Sequence, residues 1–282
     1  TYVLPLSVNY RGIFYNKKLL EEEGYQIPST YAELIDTMQQ IKKAGKLPII
    51  FADKDSWTIH QGWDASDMSS RGSQDDFFQN VLNGDAFLYE DSIALDSTRK
   101  FLEIRKYGQK QTVNTGYDEA VKKFANGEAY MFFQGNWAYP MIKKINPDID
   151  LLFMPFPAYH ENQAKVVVKI DATLGVSASC KHLEAVEQFL DYVFSKNVSE
   201  YYADKAGAYS CIKSVDVEDS YAKAFTDSIR SGEFFLEEFA YETEKSDAIN
   251  ALFQNFISSP QRDTEKSFLK ELNDLLIQQK GD

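Results

Sequence analysis

Residues 117–145 read YDEAVKKFANGEAYMFFQGNWAYPMIKKI. The spacing predicts a short helix over YDEAVKKFANG, closed by Asn126-Gly127, because an Asn-Gly pair ends a helix readily. EAYMFFQ follows as an apolar, aromatic strand. Gly135-Asn136 breaks it, and WAYPMIKKI starts a second helix. Helix, strand and helix in close succession argue an α/β fold. The same alternation runs upstream. Residues 2–8 (YVLPLSV) are extended, and Asn16 can cap the short helix KKLLEEEG that stops at Gly24. Thr30 with Glu33 forms a capping box, with Ser29 a rival cap, ahead of a helix carrying Tyr31, Leu34, Ile35, Met38 and Ile41 on one face. LPIIFA (47–52) is short, branched and apolar, a buried strand. Residues 53–72 are polar and lack a clean period, a loop leading into a helix. Helices are expected over 74–83 and 93–107. DLLFMPF (150–156) is a strand ending at Pro155 and Pro157.

KVVVKI and ATLGVSAS follow as strands, broken by Asp171. From residue 182 onward the pattern is nearly all helical: roughly 182–195, 198–206, 217–231, 244–258 and 263–279. There is no repeat, low-complexity run or flexible linker, so strands must cross any boundary between lobes.

A length of 282 residues sets a prior of about two domains. The charge, 30 basic against 43 acidic residues for a net −13, is a poor match for phosphate backbones or anionic lipid. Nucleic acid is therefore not an expected partner. Abundant aromatics, 20 Phe, 17 Tyr and 3 Trp, argue against disorder. No run approaches the length of a membrane-spanning helix. The chain opens on an apolar extended segment without an initiator Met or a signal peptide, and reads as a mature or cut fragment. Cys180 and Cys211 allow either one bridge or two small buried thiols.

Most catalytic and cofactor motifs are missing. No GxGxxG, Walker loop, GxSxG, HExxH or CxxC occurs. His60, His160 and His182 are scattered, which gives no support for a histidine metal site. Asp53-Lys54-Asp55 opens like a calcium loop, but Thr58 stands where the sixth-position glycine belongs and Asp64 where the closing glutamate belongs. Nothing singles out a glycosidase-like carboxylate pair. No cofactor is expected.

Three segments together carry a resemblance. They are LPLSVNYRGIFYNKKLLEEEGYQIPSTYAEL (4–34), YDEAVKKFANGEAYMFFQGNWAY (117–139) and GVSASCKHLEAVEQFLDYVFS (175–195). Their motifs are Tyr15-Asn16-Lys17, Pro28-Ser29-Thr30-Tyr31-Ala32-Glu33-Leu34, and Phe124 to Met131 with Gly135-Asn136-Trp137. In order and spacing they resemble the extracellular solute-binding proteins of ABC importers, in the carbohydrate-binding, maltose-binding-protein-like family. The resemblance implies a periplasmic-binding-protein-like (type II) α/β lobe with a helical C-terminal region, part of a two-lobe protein lacking most of its first lobe. Residues 1–8 would be the crossing strand at the hinge. Residues 9–170 and 213–282 would form the second lobe, and 172–212 a remnant of the first.

The function implied is non-enzymatic: capture of a sugar or oligosaccharide between two lobes. Permease subunits of an ABC importer would be partners, and the location extracellular, tethered as a lipoprotein. Sugar recognition needs aromatic faces for stacking and a few polar groups for hydroxyls. Trp137 matches the family's stacking aromatic, the alternative being a core Trp at a helix start. Trp57 aligns with another family aromatic in the polar loop. Tyr117 matches a ligand-contacting tyrosine, or else packs a helix start. Asn9 falls where the family presents a polar contact on the crossing strand, or else serves the hinge backbone. Asp171 interrupts an apolar strand pair; it faces the cleft or pairs with Lys169. Tyr241, with Glu242, lies where the family brings a further cleft residue. Gln134 is a weaker candidate, and Trp63 fits core or cleft edge. Competing readings are a same-fold receptor for a polyamine or metal chelate, and a glycan-active enzyme.

Overall fold

The computed structural model describes residues 3–71, 76–157, 166–213, 215, 220–237, 243–259 and 264–277. Its organising element is one long strand. After β1 (Val3–Pro5), β2 (Ser7–Asn16) runs for 10 residues, and its sequence SVNYRGIFYN lies almost wholly buried. α1 (Lys17–Glu22) follows directly, capped by the Asn16 side chain, and α2 (Tyr31–Lys43) starts at the expected Thr30/Glu33 capping box. Next come β3 (Leu47–Ile50), α3 (Trp57–Ser69), α4 (Phe77–Asn83), α5 (Ser92–Arg105) and α6 (Tyr117–Ala125). β4 (Ala129–Gly135), α7 (Ala138–Ile145), β5 (Leu151–Met154), β6 (Val166–Ile170) and β7 (Thr173–Gly175) complete the alternating part. α8 (Leu183–Val193), α9 (Lys196–Ala206), β8 (Tyr209–Ser210), α10 (Lys223–Ser231), β9 (Phe234–Leu236), α11 (Thr243–Ser258) and α12 (Glu265–Ile277) close the chain.

The main sheet runs β3-β4-β2-β6-β9, with β5 and β8 also paired to β2. β2 therefore serves several partners. Along one edge it meets β4 at Arg11–Tyr15 and β8 at Ser7–Val8. Along the other it meets β5 at Ile13–Asn16 and β6 at Val8–Arg11. Gly12 lies where β5 gives way to β6. A Cβ there would fall 2.1 Å from the Met154 carbonyl oxygen, so only glycine fits. β1 pairs with β7 in a separate two-stranded sheet.

Both faces of the main sheet are covered, as alternating helices and strands require. One face holds Tyr10, Phe14, Phe124, Phe132 and Phe153 in a single cluster, with Phe14 stacked on Phe153 at 3.9 Å between centroids. The other holds Ile13, Tyr15, Leu34, Met38 and Phe133. A third cluster, with Trp63, Phe101, Phe253, Phe268 and Leu272, joins α3 and α5 to the C-terminal helices α11 and α12.

The helical tail predicted from residue 182 contains two short strands, β8 and β9. Segments of two and three residues are too short to show a period, so sequence patterning misses them. Trp57 was expected in a loop; it is instead the first residue of α3. Cys180 and Cys211 are both free thiols.

Candidate functional site: an open aromatic group beside the crossing strand

The fold brings Trp57, Tyr117 and Trp137 together from three elements. The Trp57 and Tyr117 rings lie 5.2 Å apart at 58°, and Trp57 and Trp137 lie 6.3 Å apart at 47°. The tilts make a shallow cup rather than one plane. Trp57 is 37% exposed, a high value for an indole, while Tyr117 and Trp137 are half-buried.

Each ring is held there by an identifiable local device. Trp57 opens α3 behind the Asp53–Ser56 turn. Asp55 in that turn accepts a hydrogen bond from the Tyr117 backbone N–H through Oδ2 at 2.6 Å. α6 has Gly116 at its N-cap position, with no side chain of its own to serve. Asp55 thus satisfies one of the orphan donors of that helix end from 62 residues away, and docks Tyr117 against Trp57. Trp137 follows β4, and its ring folds back over Gly135. A Cβ at Gly135 would fall 2.0 Å from the ring carbon Cζ3, so any other residue would displace the indole.

Asn136 makes the turn between β4 and α7. In an antiparallel ladder Tyr10 and Asn136 would exchange both backbone bonds. Asn136 N–H does donate to the Tyr10 carbonyl, at 3.1 Å. The return bond from Tyr10 N–H goes to Asn136 Oδ1 at 2.9 Å, so the side chain replaces the backbone carbonyl. That carbonyl is thereby free to accept from Tyr139 N–H and begin the helical turn. The Asn136 amide also donates from Nδ2 to the Gly207 carbonyl at 2.6 Å.

Asn9 and Asp171 form a second pair. Asn9 is half-buried on β2, and Asp171 follows β6 with its backbone N–H donating to the Ser7 carbonyl. Partial burial pushes the Asp171 carboxyl up, against the opposing pull of a hydrogen bond from the Asn9 side chain and the charge of Lys169. Lys169 bonds Glu237 rather than Asp171. Asn9 and Arg11 are two residues apart on β2 and so face the same side of the sheet, about 7 Å apart along the strand. Arg11 pairs with Gly135, over which Trp137 lies. The polar pair and the aromatic cup are thus neighbours on one face, joined through that register.

Beneath them is a buried ionic chain that sequence reading missed. Arg11 contacts Asp64 at 3.2 Å and Glu237 at 2.7 Å; Lys169 contacts Glu237 at 2.8 Å, and His60 contacts Asp64 at 2.7 Å. The available signal was an arginine inside the apolar strand SVNYRGIFYN, which must be paired if buried. The other candidates divide. Trp63 is fully buried, with its indole N–H donating to Thr98 Oγ1 at 2.8 Å, and belongs to the core. Gln134 is buried, and its Oε1 accepts from the Gly135 N–H at 3.1 Å. Tyr241 and Glu242 lie outside the described residues.

Chemically the face offers stacking surface and a few hydrogen-bonding groups. Trp137 Nε1 and Tyr117 Oη are buried polar atoms close to each other, and neither has another hydrogen-bond partner among the described residues. Burial pushes the Tyr117 phenol well up, the Asp118 charge adds to this, and the nearby Trp137 indole opposes it; at neutral pH the phenol is a donor as well as an acceptor. Cavities of about 850 and 470 Å³ lie elsewhere, and neither includes a residue of the aromatic cup. Among the described residues no three His, Cys, Asp or Glu side chains gather as a metal site would, and no helix is long and apolar enough to cross a membrane.

The chain is 30% identical over 222 residues to the multiple sugar-binding protein of Streptococcus mutans, covering 76% of this chain and 52% of that protein. It is 20% identical over 230 residues to the melibiose/raffinose/stachyose-binding protein MelE of Bacillus subtilis, covering 79% of this chain and 54% of that protein. The chain therefore spans about half the length of these relatives. Among solved structures, RafE in complex with raffinose superposes with a TM-score of 0.82 at 22% identity, over 99% of this chain and 73% of that one. That likeness establishes the periplasmic-binding-protein-like α/β fold. With a family match running from residue 1 to residue 199, the chain belongs to the bacterial extracellular solute-binding proteins.

Proposed function

We propose that the chain is the ligand-binding part of a receptor that captures a sugar or oligosaccharide for an ABC importer, without bond chemistry. The observation that carries this reading is the grouping of Trp57, Tyr117 and Trp137, with Trp57 37% exposed, since aromatic surface of this kind stacks on the C–H surface of pyranose rings. Asn9 and Asp171 beside it would take sugar hydroxyls, and the Tyr117 hydroxyl and Trp137 indole N–H, which otherwise interact only with each other, suit the same ligand. Tyr241 is retained as a further contact. The sugar-binding names of the S. mutans and B. subtilis relatives support the substrate class.

In the same reading residues 1–8 are the crossing strand, 9–170 with 213–282 the second lobe, and 172–212 a segment of the first. It is supported by β7 pairing with β1 in a sheet of its own, and by α8 burying none of its residues. Lobe closure around the ligand would be absorbed at β2 and its neighbours. The partners are permease subunits, and the place of action is the outer surface of the cell, with a lipid anchor.

The test is calorimetric titration of the chain with raffinose, stachyose, maltotriose and spermidine, followed by chromatography of the recovered sugars. Saturable binding of an intact sugar supports the proposal. Binding of spermidine alone overturns the substrate class, and shortened sugar products overturn the receptor reading.

A further inference from the structure

We infer that Asn136 is a positioning residue that couples the aromatic cup to the crossing strand and to the 172–212 segment. Along one edge of β2, β4 ends at Gly135 opposite Arg11 and β8 begins at Tyr209 opposite Val8. Asn136 fills the gap between these two strands, opposite Tyr10. Its carboxamide makes one bond in each direction: Oδ1 accepts from Tyr10 N–H at 2.9 Å, and Nδ2 donates to the Gly207 carbonyl at 2.6 Å. The residue is fully buried, so neither bond competes with solvent. Trp137 is the next residue, and its ring lies directly over the bare Gly135.

The Gly207 end is equally constrained. Gly207 closes α9 with φ at +61°, and a Cβ there would lie 3.0 Å from Pro140 Cδ and 3.3 Å from the Asn136 carbonyl oxygen. The α9–β8 turn therefore presses directly on the β4–α7 turn that carries Trp137. A displacement of that segment relative to β2 must either break the Nδ2–Gly207 bond, which removes one of the two side-chain supports of Asn136, or carry Asn136 and the adjoining Trp137 with it. That the displacement accompanies sugar capture rests on the reading proposed above; the coupling itself does not.

The test uses the 282-residue chain labelled with 5-fluorotryptophan, its three tryptophans assigned by single Trp→Phe replacements. Asn136→Asp keeps the acceptor for Tyr10 and replaces the donor to Gly207 by a second oxygen. We expect the Trp137 signal to shift or broaden in the ligand-free variant while the Trp63 signal stays in place. Raffinose affinity should fall about three- to tenfold, the worth of one neutral hydrogen bond. Gly207→Ala attacks the same contact from the other side and should move the same signal; it decides the matter if the Asp variant does not fold. A folded variant of either kind with an unmoved Trp137 signal overturns the inference. Failure of the parent chain to bind raffinose while the fluorine shift is present leaves the coupling standing and counts against the sugar reading alone.

Discussion

α6 and α8 are both short amphipathic helices, yet they end in opposite surroundings. In α6, YDEAVKKFA, the residues Ala120, Val121, Phe124 and Ala125 are all buried against the sheet. In α8, LEAVEQFLDYV, none is buried, and Leu183 and Phe189 are each 56% exposed. An apolar stripe states that a helix face requires a partner; it does not state that the partner is in the same chain. α6 lies across β4 and also carries Tyr117 to the candidate site. α8 leaves its stripe uncovered, and an apolar face of this kind is what an interaction surface exposes.

The comparison can be broken most directly at the buried end. Phe124→Ala should remove about 3–5 kcal/mol of folding stability, the usual cost of emptying a core aromatic, read by urea unfolding. A loss below about 1 kcal/mol would mean that α6 is not the covered helix described here. Arg11→Ala should cost a similar amount, about 3–5 kcal/mol, because it leaves the buried Asp64 and Glu237 carboxylates without their arginine.

Trp137→Ala sits between the two extremes. It should lower sugar affinity by about 2 kcal/mol, or roughly thirtyfold, with a smaller change in melting temperature than Trp63→Ala produces. Equal melting losses with unchanged affinity would place Trp137 with the core. Smaller again is the effect of pH through Asp171. Its carboxyl is raised by partial burial, so it protonates at a less acidic pH than a free aspartate and then no longer offers two acceptor oxygens. Sugar affinity should therefore be full at neutral pH and fall on acidification through that raised value. Asp171→Asn should remove this step, and an unchanged pH profile in the variant would exclude Asp171 from the contact set.

The smallest effect belongs to α8. Phe189→Ala should change the stability of this chain by no more than about 0.5 kcal/mol, as expected at an exposed site. In a chain carrying a complete first lobe the same change should cost several times more. Equal costs in the two settings would remove the assignment of 172–212 to that lobe.

The sequence was most legible where local chemistry and tertiary placement agree. The Thr30/Glu33 capping box, the Asn126-Gly127 stop and the strand through Met131 and Phe132 all formed as patterned, because each depends on neighbours within a few residues. The grouping of Trp57, Tyr117 and Trp137 was legible only as three separate candidates matched to a family; no local signal ties residue 57 to residue 117. Arg11 went unread because its partners, Asp64 and Glu237, are remote in sequence. Asn136 was seen as a break, although its side chain in fact continues the ladder. β8 and β9 escaped because they are strands only by virtue of lying beside β2 and β6.

The Asp55–Tyr117 hydrogen bond has a consequence for the order in which the molecule assembles. α6 spans nine residues, too few to persist alone in water. Its first turn receives a side-chain acceptor from the β3–α3 turn, a long loop closure away. Such a contact is expected to form after the folding barrier, since local helices and a few apolar contacts ordinarily constitute the nucleus. Its loss would then show in the speed with which the native state comes apart, more than in the speed with which it forms. The aromatic cup would be among the last parts of the molecule to set and among the first to open.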